Sequence, residues 1–137
     1  MGGPNRLKYL LDTHIWIWSL LDPKQLTKRV QRILANPENE LWLSAISIWE
    51  FLILVEKGRV LIHSDVETWL DEAMNKAPMK EAPITHQIAR ISRSLQMPHQ
   101  DPADRFLAAT AIALDLTLIS ADDRMLHSGE FSALPNK

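Results

Sequence analysis

No cysteine occurs among the 137 residues. That excludes a disulfide framework, a thiolate nucleophile and a cysteine-based zinc site. Long apolar runs are missing too: no stretch approaches the ~20 residues that a bilayer-spanning helix needs. No basic start leads into an apolar core, as in a cleavable signal sequence. A soluble, cytoplasmic protein without membrane attachment is therefore expected. There is also no excess of positive charge. The formal net charge is -2, so any contact with nucleic acid has to come from a local basic patch. Hydrophobic residues make up 46% of the chain, enough for one ordinary core at this length. A single domain over 1–137 is expected, with residues 1–6 as a flexible lead outside the fold.

The pattern that is present alternates strands with helices. Lys8-Tyr9-Leu10-Leu11 reads as a first, central strand ending at Asp12-Thr13. His14 to Leu21 is apolar nearly all round, as in a buried helix, and Asp22-Pro23 ends it. Thr27 caps a helix from Lys28 to Ala35, with Val30, Ile33 and Leu34 inward and Lys28, Arg29 and Arg32 outward. Leu41 to Leu43 is a second strand. Ser44 caps a long helix from Ala45 to Lys57, stopped by Gly58. Ser64 and Glu67 have the spacing of a capping box for a helix through Met74. Glu81 to Ile84 reads as a short edge strand, and Thr85 caps a helix to Leu95. Then come Asp101 as N-cap, Pro102 at the first helical position and Asp104 in the first turn. The helix that follows leads into an apolar strand, Leu116 to Ile119. Asp123 to His127 forms a helical turn and Phe131 to Leu134 a last edge strand. This order predicts an α/β fold with a largely parallel sheet.

In such sheets ligands bind outside the carboxyl ends of the strands. Asp12 and Asp122 follow strands, and Asp104 starts a helix near the same edge. Each acid has a second explanation, because carboxylates at helix N-termini cap backbone N–H groups and suit the dipole. For Asp12 and Asp122 the two explanations balance; for Asp101 capping is favoured, and Asp123 reads as a solvated surface acid. Glu50 differs. It shares a helix face with Ile46, Ile53 and Leu54, too far from the helix start to be a cap. A carboxylate on a core-facing stripe needs a cation, either a metal or a salt bridge to Arg105 or Lys57. Carboxylates gathered at one edge repel each other unless a cation intervenes. An all-oxygen donor set suits Mg²⁺ or Mn²⁺ over Zn²⁺. The chemistry to which this points is metal-dependent phosphoryl hydrolysis.

Four stretches carry a resemblance: Leu10-Leu11-Asp12-Thr13-His14-Ile15-Trp16-Ile17-Trp18, Ser44-Ala45-Ile46-Ser47-Ile48-Trp49-Glu50, Pro98-His99-Gln100-Asp101-Pro102-Ala103-Asp104-Arg105-Phe106 and Ile119-Ser120-Ala121-Asp122. In this order and spacing the chain resembles the PIN-domain ribonucleases, and within them the VapC toxins of bacterial toxin–antitoxin pairs. The resemblance implies a three-layer α/β/α sandwich. It implies that Asp12, Glu50, Asp104 and Asp122 bind Mg²⁺ or Mn²⁺ and carry RNA hydrolysis, with Thr13 and Ser120 positioning a ligand or water. Asp101 matches a subgroup feature, and Ala103 stands where similar sequences often carry an aromatic residue. Implied partners are an RNA substrate, a VapB-like antitoxin lying in an apolar groove, and a second copy in a homodimer. Trp16, Trp18 and Trp42 are candidates for groove or dimer contacts, although core packing explains them better.

Other residues carry lesser expectations. Arg105 is placed to steady a carboxylate or a phosphate. His14 either lines the site or is structural. Lys28, Arg29, Arg32, Arg90 and Arg93 read as solvated faces before they read as phosphate contacts. Two rival functions remain at this level. One is a PIN-like module that binds nucleic acid or a partner without turnover. The other is an aspartyl-nucleophile phosphatase, disfavoured because His14 occupies the place where a second Asp would be wanted.

Overall fold

The computed structural model describes residues 7–98 and 100–137; residues 1–6, with the expected lead, and His99 lie outside the described residues. Five strands form one sheet: β1 (Lys8–Leu11), β2 (Glu40–Ser44), β3 (Lys80–Ala82), β4 (Thr117–Ser120) and β5 (Ala133–Pro135). Their order is β3-β2-β1-β4-β5, and each neighbouring pair is parallel. Among the described residues, seven α-helices connect them: α1 (Thr13–Leu21), α2 (Lys28–Ala35), α3 (Ala45–Glu56), α4 (Val66–Lys76), α5 (His86–Ser94), α6 (Pro102–Leu114) and α7 (Asp123–Leu126).

Strand alternation sorts the apolar side chains into two cores. Tyr9, Leu11, Leu43 and Ile119 join one cluster with Ile15, Trp16, Val30, Phe51 and Leu70 from α1 to α4. Leu10 and Leu118 join another with Leu107, Ala108 and Ala111 of α6 and Met125 of α7. Successive strand residues point to opposite faces, so the sheet is covered on both sides. This is the three-layer α/β/α arrangement expected.

The chain leaves β1 toward β2 and β3 on one side and later returns to β4 and β5 on the other. The carboxyl ends of β1 and β4 therefore flank the switch point, where open parallel sheets form a crevice. A tight α6–β4 connection serves this return: Asp115 ends α6 in the left-handed region, at φ 53°.

Several expected boundaries move. The cap of α4 is Asp65, not Ser64: its carboxylate accepts from Thr68 N at 3.1 Å, and the helix runs on to Lys76. An anion at that position also suits the helix dipole. Strand β3 spans Lys80–Ala82 instead of Glu81 to Ile84, since Pro83 has no N–H to extend a ladder. Strand β5 begins at Ala133, and Phe131 packs on the second core instead. In α3 the fully buried positions are Ser47 and Phe51, with Ile46, Ile53 and Leu54 only half-buried. Among the described residues no helix is long and apolar enough to cross a membrane.

Candidate functional site

Each of the acids singled out in the sequence, Glu50 apart, owes its position to a strand-to-helix or loop-to-helix junction. Asp12 follows β1 and caps α1, its Oδ1 accepting from Thr13 N at 2.8 Å. Its Oδ2 accepts from Ser120 Oγ at 2.6 Å. Ser120 is the last residue of β4 and also accepts from Asp122 N at 3.0 Å. Asp122 caps α7 through Arg124 N at 2.9 Å. Asp101 caps α6 through Asp104 N at 3.1 Å. Capping and a place at the cavity thus coexist in the same side chains.

Glu50 reaches the same region from α3. Its carboxylate accepts from Thr13 Oγ1. With its one proton given there, Thr13 Oγ1 accepts from Ser47 Oγ, 2.9 Å away. Both hydroxyls are buried, so they hold Glu50 against the start of α1. Ser47 was not foreseen; a serine in mid-helix gives no sign in sequence of which hydroxyl it will meet.

Asp12, Glu50, Asp101, Asp104 and Asp122 line one cavity of about 360 Å³, together with His14, Trp18, Ala121 and Arg124. The crowding shows in their protonation. Burial pushes the Asp104 carboxyl up to about 7, reinforced by Asp101, Asp12, Asp122 and Glu50. Burial also raises Asp12, opposed by the Ser120 hydrogen bond, and raises Glu50, opposed by the one from Thr13. Arg124 pulls the other way. Its Nη2 lies 3.1 Å from Asp122 Oδ2 and 3.6 Å from Asp104 Oδ2. More than half of its side chain is exposed, so solvent weakens its effect, and burial and the carboxylates prevail at Asp104. Arg124 had no role in the sequence reading.

Arg105 is held by backbone carbonyls. Its guanidinium donates to the carbonyls of Ser92 (2.8 Å), Leu95 (2.9 Å) and Met97 (3.2 Å). Lys57, the other cation considered for Glu50, is an exposed C-cap. Trp16 is core, while Trp42 is half-buried and donates to Glu40 at 2.7 Å. Ala103 is buried at the start of α6.

As they stand, no three acid or histidine side chains among the described residues are gathered tightly enough to hold a metal ion. The donor chemistry nevertheless fits a hard divalent cation. Oxygen donors from the ends of β1 and β4, from α3 and from the start of α6 line one space, and burial, reinforced by neighbouring carboxylates, raises the proton affinities of Asp12, Glu50 and Asp104 there.

Comparison with known proteins agrees with this architecture. The PIN domain family matches residues 9–130. Ribonuclease VapC22 of Mycobacterium tuberculosis is 30% identical over 117 residues, 85% of this chain and 88% of that protein. Among solved structures, VapBC2 from Rickettsia felis bound to a DNA fragment from its promoter superposes with a TM-score of 0.71 at 14% identity, covering 96% of this chain and 100% of the other. DNA-bound VapBC from Salmonella typhimurium gives 0.70 at 15% identity, covering 96% and 99%. At those identities the structures speak for the fold. The family match and the VapC22 relationship carry the assignment: the chain belongs to the PIN-domain family and is VapC-like within it.

Proposed function

We propose that this protein is a metal-dependent endoribonuclease and the toxin of a toxin–antitoxin pair. The observation that carries the reading is the convergence of Asp12, Glu50, Asp104 and Asp122 on one cavity at the switch point of the sheet. These four would hold Mg²⁺, or Mn²⁺ in its place. Bound there, the ion would neutralise charge at the scissile phosphodiester and lower the pKa of an attacking water.

The chain's own residues prepare that site. Ser120 fixes one oxygen of Asp12, and the backbone N–H of Thr13 fixes the other. Thr13 and Ser47 set the rotamer of Glu50. Asp104, raised to about 7, gives up its proton readily when a cation arrives. Arg124 supplies a positive charge at the rim that a phosphate can meet.

VapC22 is named a ribonuclease, and the structural relatives include VapBC complexes and a toxin–antitoxin complex from Klebsiella pneumoniae. They support a VapB-like antitoxin as partner here. An apolar groove between α3, α4 and β3, lined by Leu43, Ile48, Met74 and Met79, suits such a peptide. A homodimer and a cytoplasmic setting belong to the same reading.

The test is cleavage of a mixed set of structured RNAs, tRNAs included, with Mg²⁺, Mn²⁺ or EDTA, beside Glu50→Gln. Cleavage that needs metal and is lost in the variant supports the enzyme. Metal binding without cleavage of any RNA favours a binding module. Cleavage that survives both EDTA and Glu50→Gln overturns the assignment.

A further inference from the structure

Five carboxylates line the cavity and a single arginine accompanies them among the named lining residues. The whole chain carries a net charge of -2. Such a site repels a polyanion at close range. Beyond a bound cation and Arg124, grip on the strand next to the scissile phosphate gains from a contact that does not depend on charge.

The same cavity offers one. His14 and Trp18 stand at positions i and i+4 of α1, on one face of the helix. Their ring centroids are 5.8 Å apart and their planes inclined at 52°. His14 is exposed, although Thr13, Ile15, Trp16 and Ile17 around it are buried. Trp18 packs on the first core and also lines the cavity. Packing explains one side of Trp18, but it does not explain an exposed His14 ring beside it at the mouth of the site. The geometry points to a nucleobase platform: we infer that His14 and Trp18 stack against an unpaired base of the RNA next to the cleaved phosphate. Stacking needs no base-specific hydrogen bond, so the platform accepts any base. It does require that base to be free of its own duplex stack, so the substrate is single-stranded or looped at the cut. This inference rests on the ribonuclease reading and adds to it two residues that touch the base beside the cut.

The experiment is fluorescence anisotropy with a labelled single-stranded RNA, a blunt duplex of the same sequence, and a series of single strands carrying one abasic nucleotide at each position in turn. Every chain carries Asp12→Asn, so that bound RNA stays uncut. Trp18→Ala should weaken single-strand binding by roughly tenfold to a hundredfold. Trp18→Phe should retain most of the affinity, and duplex binding should not change with either variant. His14→Ala, an exposed substitution, should weaken the single strand in the same sense. The deciding comparison is the abasic series. At one position the missing base should cost the parent chain what Trp18→Ala costs, and the two losses should not add. Equal weakening of all strands by Trp18→Ala, including every abasic one, would reduce Trp18 to a structural role and overturn the proposal. So would unchanged binding, or a shift of oligomeric state in light scattering, which would mark the pair as an interface between copies. The two readings fail differently. Absence of both RNA binding and cleavage by the unaltered chain removes the ribonuclease and the platform together. Normal cleavage with Trp18-independent binding removes the platform alone.

Discussion

The hydroxyl of Ser120 joins two of the acids: it donates to Asp12 Oδ2 at 2.6 Å and accepts from the backbone N–H of Asp122 at 3.0 Å. One small side chain at the end of β4 thus ties the end of β1 to the start of α7. Ser120→Ala removes both bonds in a fully buried place. It should cost roughly 1–3 kcal/mol, because a buried acceptor and a backbone donor lose their partner together. The bond also opposes the upward shift of the Asp12 carboxyl, so its loss raises that carboxyl further. Mn²⁺ should then bind more weakly to the variant, and the deficit should shrink as the pH is raised. Denaturant unfolding and calorimetric titration at two pH values check both effects. A stable variant with unchanged metal affinity would deny Ser120 this function.

Asp104 predicts how stability follows pH. Its carboxyl stands at about 7 when folded, against 3.8 for an ordinary aspartate. A raised carboxyl holds its proton more tightly in the folded chain than in the unfolded one. Between those two values the native state binds more protons, so its stability falls as pH rises. The contribution is fully present below 3.8 and is lost as pH climbs to about 7. At about 1.4 kcal/mol per pKa unit it is a few kcal/mol in size. Asp12 and Glu50 are raised as well and steepen the same slope. The metal-free protein should therefore melt at a lower temperature at pH 8 than at pH 5. Asp104→Asn should flatten the difference by raising the melting temperature at pH 8. Saturating Mg²⁺ should rescue the unaltered chain more than the variant. A metal-free melting temperature that rises from pH 5 to pH 8 would contradict this account.

Much of this arrangement could be read from the sequence, and the reasons differ by residue. Asp12, Asp104 and Asp122 were legible because each stands where a strand or loop gives way to a helix, which in a parallel sheet is the functional edge. Glu50 was legible because an acid on an apolar stripe calls for a reason. Capping and site-lining look like alternatives in the sequence, yet a carboxylate has two oxygens, and in Asp12 one caps α1 while the other meets Ser120. Strands β3 and β5 shifted by one or two residues because three-residue strands carry almost no period. Asp65 took the cap from Ser64 because both are good caps, and only the backbone path decides between neighbours. Arg124 and Ser47 escaped notice because their importance lies in long-range partners. Arg124 reaches Asp104 on another helix, and Ser47 reaches Thr13 across the sheet edge.

Arg124 leads to a prediction about metal binding. Its guanidinium sits between the carboxylates of Asp104 and Asp122, where it competes with any cation drawn to them. Arg124→Gln removes the competitor without removing a carboxylate. Mn²⁺ affinity should rise several-fold, and the melting temperature should hardly change, since exposed ion pairs add little to stability. If the same guanidinium meets a phosphate of the substrate, KM for RNA should rise although the metal binds better. Tighter metal with weaker substrate separates a charge at the rim from a residue that merely holds α7 in place. Weaker metal binding in Arg124→Gln would mean that the guanidinium organises the acids instead of competing for them.

Arg105 supplies the last prediction, and it concerns the scaffold. The side chain is buried, and its planar fork donates to the carbonyls of Ser92, Leu95 and Met97 at once. Those carbonyls belong to the end of α5 and the segment that leads to Asp101, so the guanidinium sets where α6 and its acids begin. A lysine carries the same charge, but from a single nitrogen it cannot reproduce the fixed spread of donors. Arg105→Lys should therefore leave buried carbonyls unsatisfied, at roughly 1–3 kcal/mol for each one left without a partner. Arg105→Met, which keeps the length and drops the donors, should destabilise at least as much. The expected signature is local as well as global. The segment 95–98 should become sensitive to limited proteolysis and lose amide protection before the sheet does. RNA cleavage should fall with the order of that segment, and it should recover partly in a stabilising osmolyte. If Arg105→Lys melts like the parent chain yet loses cleavage, the guanidinium acts on the substrate, as one sequence expectation held, and not on the three carbonyls.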